Sequence, residues 1–402
     1  MHTQAEFNRN RVRRELKDKG VLIVFSGSKI KKSADGEYPF EVNRNFYHLT
    51  QIDEANLMLV ISKDQDTLYI EKSDELYEKW IGKKISKEEA KAKSNIKDIK
   101  YKEDFDEAML ENYSHIYLDL EKDQINDHPT LAFKFKEKYK INAIDAYSII
   151  AHSRSIKSEK EVSEIKKAIK ITKAGIENIL RSLKPNVKES VFEANFDFVL
   201  KSENVRHAFD TIAASGKNAT TLHYITNNEI AKENELVLFD LGATHNLYCA
   251  DISRTFPVNG KFTKRQKELY EMVLKANELV IDAIKPNITM KELNDIVVKF
   301  YEKELKRLNV IQNKEEVKKY YFHGVSHSLG LDTHDVGLDR KTPLQAGNVI
   351  TVEPGIYIKE EEIGIRIEDN ILVTKDGSEN LSKDIIKTVE DIEEFMSNVK
   401  EK

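Results

Sequence analysis

The chain has a single cysteine, Cys249, among 402 residues. No intrachain disulfide can form, and a reducing, cytoplasmic setting is expected. Cys249 itself reads as a small core residue rather than a nucleophile. Long apolar runs are also missing. The most apolar stretches, such as LMLVI at 57–61, are strand-sized and far short of a membrane span, so no membrane partner is expected. The basic opening MHTQAEFNRNRVRRELKDKG is not followed by a secretory-type apolar segment, and no signal peptide is expected. Neither half is strongly basic, and the formal net charge is −5. That balance excludes nucleic acid as the main partner.

What is present is enough apolar material, 40% of residues, to bury a core, in a length that favours two domains. Residues 6–19 read as a charged helix. VLIVFSG, FYHL, NLMLVIS, TLYI and HIYLDL read as strands, with SKEEAKAKS and EDFDEAMLEN as helices between them. These make a strand–helix domain over residues 1–148. The lysine-rich stretch at 83–102 reads as a solvated face. From 149 to 402 the pattern changes. RSIKSEKEVSEIKKAIKITKAGIENILRSL is a long amphipathic helix opened by Ser158 and Glu161, a capping box. Pro185 and Asn186 end it, and a second helix follows at about 188–203. LKPNVKESVF at 183–192 then recurs as IKPNITMKEL at 284–293. Each phrase is followed by a histidine-bearing strand and a hairpin with two carboxylates. The fold class expected is α+β, with a smaller α/β domain preceding two duplicated helix–helix–hairpin halves. The repeat is too long for a solenoid.

Asp240 and Asp251 flank a turn in ELVLFDLGATHNLYCADISRTF, and a midpoint between His245 and Asn246 sets them opposite each other. In VITVEPGIYIKEEEIGIRIEDNILV, a midpoint between Glu360 and Glu361 does the same for Glu353 and Glu368. Directly opposed residues on antiparallel strands have Cβ atoms about 4.5–5.5 Å apart, where like charges destabilise. Two such pairs in apolar strands call for a cation. YYFHGVSHSLGLDTHDVG offers His323, His327 and His334 as imidazole partners, with 323 and 327 sharing a face if the segment is extended. Four carboxylates with one imidazole suit two divalent ions, Mn²⁺ first, with Co²⁺, Zn²⁺ and Fe²⁺ as alternatives, and speak against a thiolate zinc site. Paired ions acidify a bridging water and serve hydrolysis.

FDTIAASGKNATTLHY, LVLFDLGATHNLYCADISRTFPVNG, HGVSHSLGLDTHDVG, VITVEPGIYI and GIRIEDNILVT closely resemble the pita-bread metallopeptidases. The resemblance is strongest to their proline-specific branch, Xaa-Pro aminopeptidase and Xaa-Pro dipeptidase (prolidase). FEVNRNFYHLT and the phrase at Trp80 are similar, more loosely, to the creatinase-type N-terminal domain of those proteins. By this resemblance Asp240, Asp251, His327, Glu353 and Glu368 hold the two ions, with Asp251 and Glu368 bridging. His223 and His334 contact the scissile carbonyl or the tetrahedral intermediate, and His323 stands by the proline pocket. Arg366 matches the arginine before the last glutamate, either orienting Asp240 or forming a plain ion pair. Tyr357, four residues beyond Glu353, either reaches the same shell or, as a lone tyrosine on a strand, serves packing. Ser326 and Ser328 depart from the usual pattern and bear on pocket shape, not on ligation. The implied activity is removal of the residue before proline from a peptide's N-terminus, with Glu353 moving a proton from the attacking water to the leaving nitrogen. Prolidase is the alternative, and a metal-free binding protein of the same fold is a remote one. Methionine aminopeptidase shares the five ligands but lacks the first histidine. A homodimer or dimer-based oligomer is implied.

Overall fold

Hydrophobic strands in the first hundred residues and amphipathic helices after residue 158 give the chain two compact units, Met1–Arg154 and Ser155–Lys402. The computed structural model describes residues 3–120, 130–337 and 339–400.

In the first unit, β1 (Gly20–Phe25), β2 (Met58–Ser62), β3 (Asp66–Ile70), β4 (Asp98–Tyr101), β5 (His115–Leu118) and β6 (Ile144–Asp145) form one sheet. Its order is β4-β3-β2-β1-β5-β6. β1–β2 and β2–β3 are antiparallel, and the other three pairs are parallel. β1 and β2 are buried along almost their whole length, which explains their unbroken apolar sequences. Helices α1 (Gln4–Glu15), α2 (Arg44–Thr50), α3 (Glu75–Ile81), α4 (Lys87–Ser94) and α5 (Leu131–Lys138) join them. FYHL is helical, in α2, and not a strand. The Asn43 side chain accepts the Phe46 N–H, and Gln51 closes the helix in the left-handed region at φ 58°. Every residue from Asn45 to Thr50 is buried. A short helix buried all round shows no helical period, so its aromatics mimic a strand. EDFDEAMLEN divides into two short 3-10 turns, Lys102–Asp104 and Glu107–Asn112, because the Asp106 side chain caps the second.

The chain leaves through α6 (Tyr147–Ser155) into α7 (Glu159–Ser182), whose capping box of Ser158 and Glu161 is formed. After the Lys-Pro-Asn turn come β7 (Val187–Lys188) and α8 (Glu189–Ser202). β8 (Ile212–Ser215), β9 (Ile230–Ala231), β10 (Leu236–Leu241), β11 (Thr244–His245), β12 (Tyr248–Cys249) and β13 (Ile252–Pro257) follow. The second half opens with α9 (Lys264–Ala283), α10 (Met290–Arg307) and the short α11 (Val317–Tyr320). Its strands are β14 (Val349–Val352), β15 (Gly355–Ile358), β16 (Ile363–Arg366), β17 (Asp369–Val373) and β18 (Ser378–Asn380), before α12 (Val389–Lys400).

The duplication is visible in the backbone. Asn186 and Asn287 both sit at positive φ, 64° and 74°, in their Lys-Pro-Asn turns. In the first half, β8 pairs with β10 and β10 with β13. In the second, the extended segment 325–329 bonds to β14, and β14 pairs with β17. His327 lies in that extended segment. His223 does not lie on a strand; it follows β8, in a loop.

β16 crosses the first half at close range, because the Gly364 Cα faces the short 3-10 turn Gly216–Thr220. A Cβ there would lie 2.0 Å from the Ala219 carbonyl oxygen. G364A should therefore lower stability by about 1–3 kcal/mol, the usual cost of forcing atoms into a packed core. Urea unfolding measures this, and an unchanged midpoint would show that the turn does not lie against β16.

Candidate metal centre

Asp240 and Asp251 come from the first hairpin, but not directly opposite each other. β10 and β13 set Asp240 against Ser253, and Asp251 lies two residues further along the same face. The midpoint falls between Asn246 and Leu247, one residue past the expected place. β11 and β12 pair Thr244 with Cys249 and His245 with Tyr248. Both central residues have positive φ, 46° and 64°, as a tight hairpin turn of matching twist requires. His245 stays in the strand, 2.5 Å from Glu164. The carboxylates become diagonal neighbours, still close enough to interact. The second hairpin has the expected register. Val352 pairs with Asp369 and Gly355 with Arg366, so Glu353 and Glu368 face each other between them.

A cavity of about 660 Å³ is lined by Asp240, Asp251, His327, Glu353 and Glu368, and also by His223, His323, His334 and Arg366. Asp251, His327 and Glu368 each bring one donor atom to within 4.8 Å of the others. The His327 Nδ1–H donates to the Ser328 carbonyl, 3.0 Å away, since that oxygen can only accept. Nε2 is thereby turned to Asp251 (3.3 Å) and Glu353 (3.5 Å), the arrangement that fixes a ligating imidazole. Asp240 Oδ1 and Glu368 Oε1 are buried with no hydrogen-bond partner among the described residues. Orphaned buried acceptors are rare and costly, and here two of them border a cluster of donors.

The electrostatics tell the same story. Burial raises the Asp240 carboxyl to about 6, with Arg366 pulling it down and Asp251 pushing it up. Burial also raises Glu353 to about 7 and sends Glu368 well above the ordinary range, with Asp251 adding to both. His327 is pulled down by burial, but its bond to Asp251 and the charges of Asp251 and Glu353 carry it to about 9. Carboxylates crowded this way hold protons near neutral pH unless a cation replaces them. The donor set, oxygen-rich with one imidazole, fits divalent metal ions.

Around this cluster runs a hydrogen-bonded chain of which sequence reading had named Arg366 and Tyr357 but not Ser253. Arg366 donates to Asp240 (2.7 Å), to Ser253 Oγ (2.7 Å) and to Tyr357 Oη (3.0 Å). Ser253 donates in turn to Glu368, at 2.8 Å. Arg366 thus orients Asp240 and is more than a plain ion pair. Tyr357 is not mere packing: its hydroxyl lies 2.9 Å from His323 Nε2. His323 Nδ1–H donates to the Gly324 carbonyl, so Nε2 accepts from Tyr357. Burial holds His323 down at about 4 and lifts Tyr357 to about 12. The imidazole is neutral with both nitrogens engaged. His334 packs edge-on against His327, ring centroids 4.4 Å apart, and burial keeps it below the usual histidine value. Arg366 had a sequence signal in its place before the last glutamate and Tyr357 in its place four residues after Glu353; Ser253 had none.

The sequence matches metallopeptidase family M24 over residues 163–375 and the aminopeptidase P N-terminal domain over residues 5–117. It is 32% identical to the Xaa-Pro aminopeptidase of Haemophilus influenzae, over 98% of this chain and 97% of that one. The structure is similar to that of a Bacillus anthracis protein described as a candidate aminopeptidase P, with a TM-score of 0.95, 47% identity and 98% of each chain covered. It is also similar to Escherichia coli aminopeptidase P holding the inhibitor Pro-Leu, with a TM-score of 0.91, 28% identity and 99% of each chain covered.

Metal binding must displace protons held at about 6 on Asp240, about 7 on Glu353 and about 9 on His327. In the metal-free fold these raised values add stability at low pH that is lost as pH rises through them. Chelated protein should soften across that window, and added Mn²⁺ should restore it, by an increment that grows with pH. Calorimetry in buffers of different ionisation enthalpy should show protons released on Mn²⁺ binding. A pH-independent affinity would contradict the assignment.

Proposed function

This chain belongs to metallopeptidase family M24, and we propose on that footing that it is an Xaa-Pro aminopeptidase, a hydrolase that removes the residue before proline from a peptide's N-terminus. The observation that carries the reading is the meeting of Asp251, His327 and Glu368 within 4.8 Å in a cavity that also holds His323. A non-catalytic role is disfavoured because every expected donor is present. Prolidase activity is disfavoured because relatives covering nearly the whole chain are named Xaa-Pro aminopeptidases.

Two divalent cations held by Asp240, Asp251, His327, Glu353 and Glu368 would supply the charge that polarises the scissile carbonyl and acidifies the attacking water. We take Mn²⁺ as the resident metal, because the donors are hard oxygens with one imidazole. Glu353, raised to about 7, is matched to moving protons near neutral pH. It takes one from the water and returns it to the proline nitrogen, which has no hydrogen of its own. His323 is assigned a different duty. With Nδ1 donating to Gly324 and Nε2 accepting from Tyr357, it has no proton to trade and offers the proline ring its face. His223 and His334 are the donors assigned to the carbonyl oxygen, while Arg366 holds Asp240. Residues 149–402 form the catalytic domain in this reading, and 1–148 the N-terminal one. A homodimer is supported by α3, which exposes Leu76, Trp80 and Ile81 at 68%, 81% and 59%. A cytoplasmic site is supported by the single cysteine.

With Mn²⁺ in saturating excess, E353Q should lose roughly 10²–10⁴-fold in kcat, the usual worth of a positioned acid–base. The Mn²⁺-loaded enzyme should cleave a longer Xaa-Pro-peptide and stop when chelated. Cleavage of a Gly-Pro dipeptide alone would turn the assignment to prolidase, and full activity under chelation would remove it altogether.

A further inference from the structure

The place of His223 is not fixed by its own ring. The residue is exposed at the cavity wall, and its imidazole makes no hydrogen bond among the described residues. Its position is that of the backbone between β8 and β9, a stretch with little regular structure. Leu222 and Tyr224, on either side of it, pack against Ile212, Ala214, Ala219, Leu238 and Tyr357. Packing alone leaves a loop several arrangements. Directed hydrogen bonds leave fewer.

Those bonds converge on one carboxyl group. Glu189, the first residue of α8, is wholly buried. Its Oε1 accepts from the Ser215 N–H (2.7 Å), the Ser215 hydroxyl (2.7 Å) and the Asn218 amide (3.0 Å). Its Oε2 accepts from the Tyr224 hydroxyl (2.8 Å) and the Glu229 N–H (3.0 Å). The donors span residues 215–229, so one side chain ties down the start, the middle and the end of the loop. The middle tie is on Tyr224, next to His223, where burial and Glu189 push the phenol up to about 12. Asn227 adds a strap one helical turn further along α8, donating to Glu193 (3.0 Å) and to the Thr211 carbonyl (2.7 Å).

We propose that Glu189 is a positioning residue for the hydrolysis. Through its bonds to residues 215–229 it holds His223 over the cavity at the place where the scissile carbonyl must lie. The inference rests on the assignment of His223 to that carbonyl. An acid that only started a helix would face that helix's own N–H groups; this one faces away from α8 into the loop. A glutamine at 189 would turn an NH₂ toward N–H donors, and Y224F would remove the tie nearest the histidine.

The test is a set of double-mutant cycles on the Mn²⁺-loaded enzyme, with a Xaa-Pro-peptide as substrate, well below the melting temperature of every variant. E189Q and Y224F should each lower kcat by about tenfold, with KM and Mn²⁺ affinity within about twofold of the parent. In the H223A background neither should cost more than about a further twofold, since coupled residues are not additive. If E189Q does not fold, Y224F carries the same comparison. Equal losses with and without His223 would overturn the inference and leave the assignment of His223 standing. Unchanged kcat in H223A would overturn that assignment itself, and the inference with it.

Discussion

The second unit is organised around a repulsion. Four carboxylates, Asp240, Asp251, Glu353 and Glu368, line one cavity. Desolvation raises Asp240, Glu353 and Glu368, and their mutual charge raises them further. A fold keeps such a cluster only if something offsets it. Arg366 offsets part of it at Asp240. His327 offsets part at Asp251. The two oxygens left without partners, Asp240 Oδ1 and Glu368 Oε1, mark what protein groups do not neutralise. Divalent cations are the chemistry that completes the set.

The strands hold the donors rigidly because their own backs are polar and paired. Arg254, wholly buried, reaches the carbonyls of Ser253 and Glu368 and the Asp369 carboxylate. Lys387 completes the charge balance at Asp369, whose carboxyl those cations hold far below its usual value although burial alone would raise it. Asn370 exchanges bonds with the backbone of Asp251 at 2.6 and 3.1 Å. Asp251 and Glu368 thus each sit beside a side chain that holds their backbone, and buried hydrogen-bonded networks of this kind rigidify. The strands and the short connections beside them fix the donors, while His223 and His334 line the same cavity from loops.

Local chemistry was legible in the sequence. The Ser158 and Glu161 capping box, the paired Lys-Pro-Asn turns and the Glu353–Glu368 register all depend on residues close in the chain. The four carboxylates could be picked out because charge in apolar strands is conspicuous, whereas His327 was separated from His323 and His334 only by the family resemblance. Other features were hidden for physical reasons. FYHL became a helix because burial on every side erased its period. The first hairpin turned one residue late because Leu247 accepts a left-handed conformation, which no propensity rule selects for leucine. Ser253, between Arg366 and Glu368, is one serine among many until β10 and β13 pair. Glu189 reads as a helix-start acid, and its duty shows only when the 215–229 loop folds onto it.

The central claim is that two cations sit among these five donors. Diffraction from Mn²⁺-soaked crystals, recorded on both sides of the manganese absorption edge, tests it most directly. The account expects two anomalous peaks about 3.5–4 Å apart, both bordered by the side chains of Asp240, Asp251, His327, Glu353 and Glu368. A single peak, or peaks away from these side chains, would contradict it.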